Sequence, residues 1–224
     1  MQKKGWSMDQ KLNFMKRVFL IIGIQLALTA CIVIAPTVNE KVKIFMKKNF
    51  GISIGLMALG CTISCCMTCK KKYSRAAPLK YLLLTIFTLC KAYTVATIAS
   101  ALEPIVVLQA MIMTAGVTLI LALYATFTSK DFTTCHGIIV CWGTCMVLYF
   151  LIILTWDNRH MGTLFALIGI MFAAILFVVD IQSICGGKRK DILEDDYVLG
   201  ALLIYMDVIT MFSGILKLCS CCKK

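Results

Sequence analysis

The stretch that decides the fold is "YVLGALLIYMDVITMFSGIL", residues 197–216, in which Asp207 is the one charged side chain. An α-helix of about 20 apolar residues crosses a hydrocarbon layer about 30 Å thick. Six further runs of similar length precede this stretch: 18–38, 50–69, 81–102, 104–128, 135–155 and 162–185. These runs are continuous rather than alternating and are too long for barrel strands. The sequence therefore predicts an all-α integral membrane protein with seven spans.

The composition leaves no room for a soluble domain. Hydrophobic residues make up 60% of the chain and charged residues 15%, which is outside the usual range of soluble domains. We therefore expect one transmembrane domain over 18–218, preceded by a polar, basic segment over 1–17 and followed by a short Cys/Lys tail over 219–224. The first apolar run is too long for the core of a signal peptide, so we read it as a retained helix.

The net charge of +12 comes from basic residues in short loops between apolar runs. There they set topology and meet anionic lipid headgroups, so we expect a lipid bilayer and no nucleic acid as partner. The loops on the same side of the membrane as the N-terminus carry the larger share of Lys and Arg, which favours a cytosolic N-terminus. Seven spans would then place Lys223 and Lys224 outside the cytosol, where they fit poorly. A last segment that re-enters without crossing stays an open alternative.

Most of the thirteen cysteines lie inside apolar runs, where a thiol behaves as a small hydrophobic group. Two clusters lie at run borders: Cys65, Cys66 and Cys69, and Cys219, Cys221 and Cys222. Zinc normally needs four ligands in complementary pairs, and only Cys66 and Cys69 have the CxxC spacing. We expect no cofactor; palmitoylation is favoured over zinc, and inert thiols remain the default.

Three ionisable residues lie within apolar runs: Lys91, Asp180 and Asp207. Each costs about 3 kcal/mol at the centre of a bilayer unless it is paired or hydrated, so each marks a functional site by default. The plainer interpretation is structural, namely an ion pair between an aspartate and Lys91 or a hydrogen bond to a hydroxyl. Two aspartates on consecutive segments are harder to explain in this way.

Helix geometry predicts that Asp180 and Asp207 meet. Their segments are consecutive, and at about 1.5 Å per residue their depths differ by about 7 Å, which side-chain reach or tilt can absorb. Two close carboxylates in a low dielectric share a proton, and such a pair can bind Ca²⁺ or act as a pH-gated latch. Intramembrane aspartyl proteases also use paired aspartates, but "FVVDIQ" and "IYMDVI" lack their YD and GxGD motifs. We therefore expect no enzymatic activity.

Three longer stretches resemble the transmembrane Bax-inhibitor-motif family, also called lifeguard proteins. They are "VLQAMIMTAGVTLILALYATFTSKDFT" (107–133), "EDDYVLGALLIYMDVITMF" (194–212) and "LFVVDIQSI" (176–184). The second resembles the last segment of the family, and the third resembles its penultimate segment, which usually ends in D-x-Q. A weaker likeness is "FMKRVFLIIGIQLALTA" (14–30). Together these stretches extend the resemblance over nearly the whole membrane region.

The resemblance implies a seven-helix bundle with the last helix central. It also implies a Ca²⁺ leak from internal stores, in endoplasmic reticulum or Golgi membranes, together with suppression of cell death. Asp180 and Asp207 become the gate of the ion pathway and the Ca²⁺ ligands, and Arg75 falls near the place of a basic residue that latches the pair. The expected function is thus a pH-sensitive Ca²⁺ leak channel. The alternative is a non-conducting regulator that binds cell-death proteins or Ca²⁺-release channels.

Two positions depart from the family pattern. Many relatives carry Glu where this chain has Lys91, so the sign of an intramembrane charge is reversed. The hypothesis is that Lys91 pairs with one of the aspartates and opposes the passage of cations; otherwise it snorkels from a different face. Thr210 replaces the amide that usually follows the last aspartate, which removes one expected hydrogen-bond partner.

Overall fold

The continuous apolar runs fold as helices, because a backbone inside hydrocarbon must satisfy its own N–H and C=O groups. The computed structural model describes residues 8–127, 159–186 and 196–222, and all regular secondary structure in these ranges is helical. The helices of the described ranges are, in chain order, α1 (Met8–Val38), α2 (Glu40–Lys48), α3 (Phe50–Cys69), α4 (Lys71–Arg75), α5 (Leu79–Ser100), α6 (Pro104–Phe127), α7 (Arg159–Gly186) and α8 (Tyr197–Cys222).

Six of these helices are long and apolar enough to cross a membrane, namely α1, α3, α5, α6, α7 and α8. They confirm six of the runs that the sequence predicts, and with them the all-α membrane architecture. The remaining run, 135–155, lies outside the described residues, so the count of seven stays a prediction. Helix α8 is the most buried of the six spans: 67% of its 18-residue apolar stretch is buried. Its place at the centre of a bundle stays a prediction as well.

The helix ends differ from the predicted runs where polar residues continue a helix. Helix α1 begins at Met8, with Asp9 in its first turn, so it includes part of the expected polar N-terminal segment. An acidic residue stabilises that turn because the N-terminus of a helix carries partial positive charge. At the other end, α8 continues to Cys222 and includes most of the expected tail.

A second difference is α2, which forms in a basic stretch that the sequence pattern assigns to a loop. Asn39 caps it, accepting a hydrogen bond from the backbone N–H of Lys41 at 3.0 Å. Lys47 and Lys48 lie in the last turn, where cations complement the helix dipole. Met46 is buried, and α2 packs against α1 and α5.

The described residues form two compact units, and the first combines Met1–Pro104 with Ile184–Tyr205. Within this unit, α5 packs against both α1 and α3, and half of the 18-residue apolar stretch of α5 is buried. Phe87 is completely buried there and meets the edge of the Tyr205 ring, with ring centroids 6.0 Å apart. Helix α5 is therefore the scaffold of the first unit.

The second unit combines Ile105–Ser183 with Met206–Lys224, so it contains most of α6, α7 and α8. Helices α7 and α8 approach closely at Gly214, where an added Cβ would lie 2.5 Å from Ile170 Cγ1 and 3.4 Å from the Ala166 carbonyl oxygen. Small residues permit such backbone approach in membranes. Gly214 therefore allows α7 and α8 to pack closely.

Candidate functional site

The two intramembrane aspartates lie together in the second unit, on consecutive described helices. Asp180 is half-buried near the end of α7, and Asp207 on α8 is buried, with 7% of its surface exposed. Both residues belong to the second unit. Both the predicted meeting of these side chains and their role as a gate stay predictions.

The described surroundings of the Asp207 carboxyl group are largely apolar. Its Oδ2 atom is buried and has no hydrogen-bond partner among the residues that the structure describes. Val208, Ile209 and Met211, its apolar neighbours along α8, are also buried. A carboxyl group in such a place is costly when ionised, because burial removes the water that would solvate the charge. Binding of a proton or a cation would therefore lower the cost of burying the Asp207 carboxyl group.

The pair does not form a complete binding site for a resident cation. The described ranges contain no group of three or more His, Cys, Asp or Glu side chains that could hold a metal ion. Ca²⁺ takes six to eight oxygen ligands, as a rule. Two carboxylates can therefore make contact with a passing Ca²⁺ that keeps most of its water, but cannot hold a dehydrated ion by themselves.

Lys91 lies on α5 in the first unit, whereas both aspartates belong to the second. Its side chain is half-buried, and Nζ lies 5.9 Å from the centroid of the Phe87 ring. Its Cε atom would be 3.7 Å from a Cβ added at Gly60, so the lysine stem lies against α3. The structure accommodates this cation with an aromatic face, and its pairing with an aspartate stays a prediction.

Arg75 has a partner that the sequence analysis does not identify. Its Nε donates to Asp196 Oδ1 at 2.9 Å, and its Nη2 donates to Asp196 Oδ2 at 2.8 Å. This two-pronged ion pair ties the end of α4 to the start of α8 across 121 residues of sequence. The acidic run that precedes the last apolar run was the available signal for Asp196. A latch between Arg75 and the aspartate pair stays a prediction.

A buried polar network crosses the first unit and joins α1, α5 and α8. Gln25 Nε2 donates to Thr88 Oγ1 at 2.7 Å, and the hydroxyls of Thr29 and Tyr205 are hydrogen-bonded at 2.8 Å. Within the described residues, Gln25 Oε1 and the Tyr93 hydroxyl are buried without a partner. Buried polar atoms of this kind are where proteins hold internal water. The weaker family-like stretch around Gln25 and Thr29 was the sequence signal for this network.

Comparison with known proteins adds evidence over nearly the full chain. A family model described as "Inhibitor of apoptosis-promoting Bax1" matches residues 11–221. The chain is 31% identical to "Protein lifeguard 3" of Homo sapiens, over 94% of this chain and 70% of that protein. It is 31% identical to the Mus musculus protein of the same name, over 92% and 68% of the two chains. It is also 27% identical to "Protein LIFEGUARD 2" of Arabidopsis thaliana, over 95% and 89%.

Proposed function

The chain belongs to the Bax inhibitor family, whose members include the lifeguard proteins, and from this premise we propose that it is a pH-sensitive Ca²⁺ leak channel of internal membranes. The observation that carries the proposal is the buried Asp207, which has an oxygen without a described partner and lies in the same unit as Asp180. The names of the family and its relatives connect it with the control of cell death. The leak would serve that control by lowering the Ca²⁺ content of endoplasmic reticulum or Golgi stores.

The proposed gate is a proton shared by Asp180 and Asp207. One proton between two carboxyl groups makes a hydrogen bond that holds α7 to α8, and like charges in a low dielectric favour this state over double ionisation. Removing the shared proton leaves two facing negative charges, and adding a second proton removes the negative charge that strengthens the hydrogen bond. Either change weakens the contact between the helices, so the leak depends on pH.

The unpartnered polar atoms of the first unit support the presence of water within the membrane part of the protein. Gln25 Oε1 and the Tyr93 hydroxyl would each lose the full value of a hydrogen bond if they stayed dry. Polar side chains in membrane proteins commonly line water-filled cavities or ion pathways. A Ca²⁺ ion passing the carboxylate pair keeps most of its own water, because the pair does not supply enough ligands by itself.

The test is Ca²⁺ flux into liposomes that contain the purified protein, measured at pH 6 and at pH 8. The wild type should leak at rates that differ between the two values, and Asp207→Asn should give equal rates because the asparagine does not titrate. Asp180→Asn should behave in the same way. Asp9→Asn is the matched control, since Asp9 is exposed in the first turn of α1. A pH response that survives in Asp207→Asn would disprove the gate.

The second candidate is a non-conducting regulator that binds cell-death proteins or Ca²⁺-release channels, and Lys91 favours it. A half-buried cation in a membrane helix repels other cations, and its partner in the first unit is an aromatic ring rather than a carboxylate. If Lys91 closes the pathway, Lys91→Glu should raise the flux, and the neutral Lys91→Met should give an intermediate rate. If the protein is purely a binding partner, neither variant nor the wild type passes Ca²⁺ in protein-only liposomes.

A further inference from the structure

Four cationic or aromatic side chains meet at one end of the first unit, and we name them the Tyr197 cluster: Arg17 of α1, Lys80 and Tyr81 of α5, and Tyr197 of α8. Lys80 Nζ lies 4.5 Å from the centroid of the Tyr197 ring and 5.3 Å from that of the Tyr81 ring. Arg17 Cζ lies 5.5 Å from the Tyr197 centroid. The hydroxyls of Tyr81 and Tyr197 are hydrogen-bonded to each other. The cluster thus ties three spans together.

The cluster carries more positive than negative charge. Lys80 is buried, with 6% of its surface exposed, although a lysine is almost never buried without a counter-charge. Within the described residues, neither Lys80 nor Arg17 forms an ion pair with a carboxylate. Asp196, which directly precedes Tyr197, is already held by both prongs of Arg75. Two cations therefore face the cluster without a matching anion from the described part of the chain.

The cluster lies where a bilayer presents its phosphates. The apolar span of α5 begins at Leu79, one residue before Lys80, and the apolar span of α8 begins at Tyr197 itself. Tyrosine and basic side chains favour this border between hydrocarbon and headgroups. Below Tyr81, α5 exposes Leu82 and Leu89, with 57% and 43% of their surfaces exposed, which is a surface suited to an acyl chain. A ligand with both a phosphate and an acyl chain fits these two surfaces together.

We propose that the Tyr197 cluster binds the phosphate group of an anionic lipid. Arg17 is exposed, and its planar guanidinium donates two parallel hydrogen bonds to phosphate oxygens. Lys80 adds a fixed positive charge from within the protein, and the tyrosine hydroxyls add donors at the membrane border. A phosphomonoester carries about −1.5 to −2 charge near pH 7, so it matches two cations better than a phosphodiester does. The lipid class is therefore a phosphatidate or a phosphoinositide with a terminal phosphate.

This inference does not depend on Ca²⁺ conduction. With the predicted cytosolic N-terminus, the cluster faces the cytosolic leaflet, where anionic lipids attract basic residues near the surface. Exposed lysines of the first unit, Lys70 and Lys72, would add long-range attraction without forming the site. A lipid bound there would link α1, α5 and α8 from outside and would stabilise their packing.

The experiment measures binding of soluble short-chain lipids to the purified full chain in detergent, with thermal stabilisation as a second readout. The probes are dioctanoyl phosphatidate, dioctanoyl phosphatidylserine and inorganic phosphate. We expect phosphatidate to bind at least tenfold more tightly than either of the other two. Equal binding of phosphatidylserine would overturn the phosphomonoester preference, and equal binding of inorganic phosphate would overturn the lipid as the source.

Matched variants locate the site. Arg17→Gln should weaken phosphatidate binding by about tenfold or more, the usual value of a charge-assisted hydrogen bond. Lys16→Gln, at the adjacent exposed cation of α1, should change it by less than about twofold, because screened surface charges contribute little. Tyr197→Phe keeps the ring that Lys80 faces and should weaken binding through loss of the hydroxyl. Equal losses in Arg17→Gln and Lys16→Gln would mean general charge attraction and would overturn the site.

Discussion

The ion pair between Arg75 and Asp196 supports a quantitative prediction, because its two partners differ sharply in exposure. The Asp196 side chain is 2% exposed and the Arg75 side chain is 35% exposed. Replacing Arg75 leaves a carboxylate in a place that water does not reach. Replacing Asp196 leaves a guanidinium that water can still partly solvate. The two single substitutions should therefore destabilise the protein unequally.

The magnitudes follow from how much solvent the remaining charged group can reach. Removing one member of a buried pair costs about 3–5 kcal/mol, and Arg75→Gln should fall at the lower end, about 3 kcal/mol. Asp196→Asn loses a charge-assisted hydrogen bond but leaves a cation that water partly solvates, so about 2 kcal/mol is expected. For a chain of this size, 1 kcal/mol shifts Tm by about 2–4 °C, which gives drops of about 6–12 °C and about 4–8 °C.

The assay is thermal unfolding in one detergent, and unfolding is monitored as the loss of the monodisperse peak in size-exclusion chromatography. The double variant should be more stable than Arg75→Gln alone, because it has no buried carboxylate at position 196. Glu40→Gln is the control: it breaks an exposed pair with Lys43 at 3.5 Å, for which less than about 0.5 kcal/mol is expected. If Asp196→Asn were as harmful as Arg75→Gln, or if both shifted Tm by less than the control, the reasoning from burial would be refuted.

Three further predictions concern packing inside each unit. Gly214→Ala should destabilise the contact between α7 and α8 by about 1–3 kcal/mol, because its Cβ would lie 2.5 Å from Ile170 Cγ1. Gly55→Ala, where an added Cβ meets nothing within 4 Å, should instead stabilise α3 by about 0.5–1 kcal/mol in the same thermal assay. Tyr205→Phe should cost about 1 kcal/mol through loss of the bond to Thr29, and Thr29→Val combined with it should add little.

The spans were predictable because their signal is local and strong. A run of about 20 apolar residues has few alternatives to a membrane helix, so six of the predicted runs reappear as described helices. Helix α2 was not predicted, because it is short and basic. Its position depends on the packing of the buried Met46 against neighbouring helices. The extension of α1 to Met8 was missed for a related reason. Once a stable membrane span is helical, the helix can continue into adjacent polar residues.

The sequence by itself determined that the protein lies in a membrane and that Asp180 and Asp207 need an explanation, because both conclusions rest on the cost of moving groups between water and hydrocarbon. Only the tertiary structure decided which partners the charged groups take. Arg75 meets Asp196 across 121 residues, and Lys80 is buried among tyrosines from two helices. Such pairings depend on how helices rotate and pack, which neither hydropathy nor spacing along the chain specifies. The Tyr197 cluster became visible for that reason only in three dimensions.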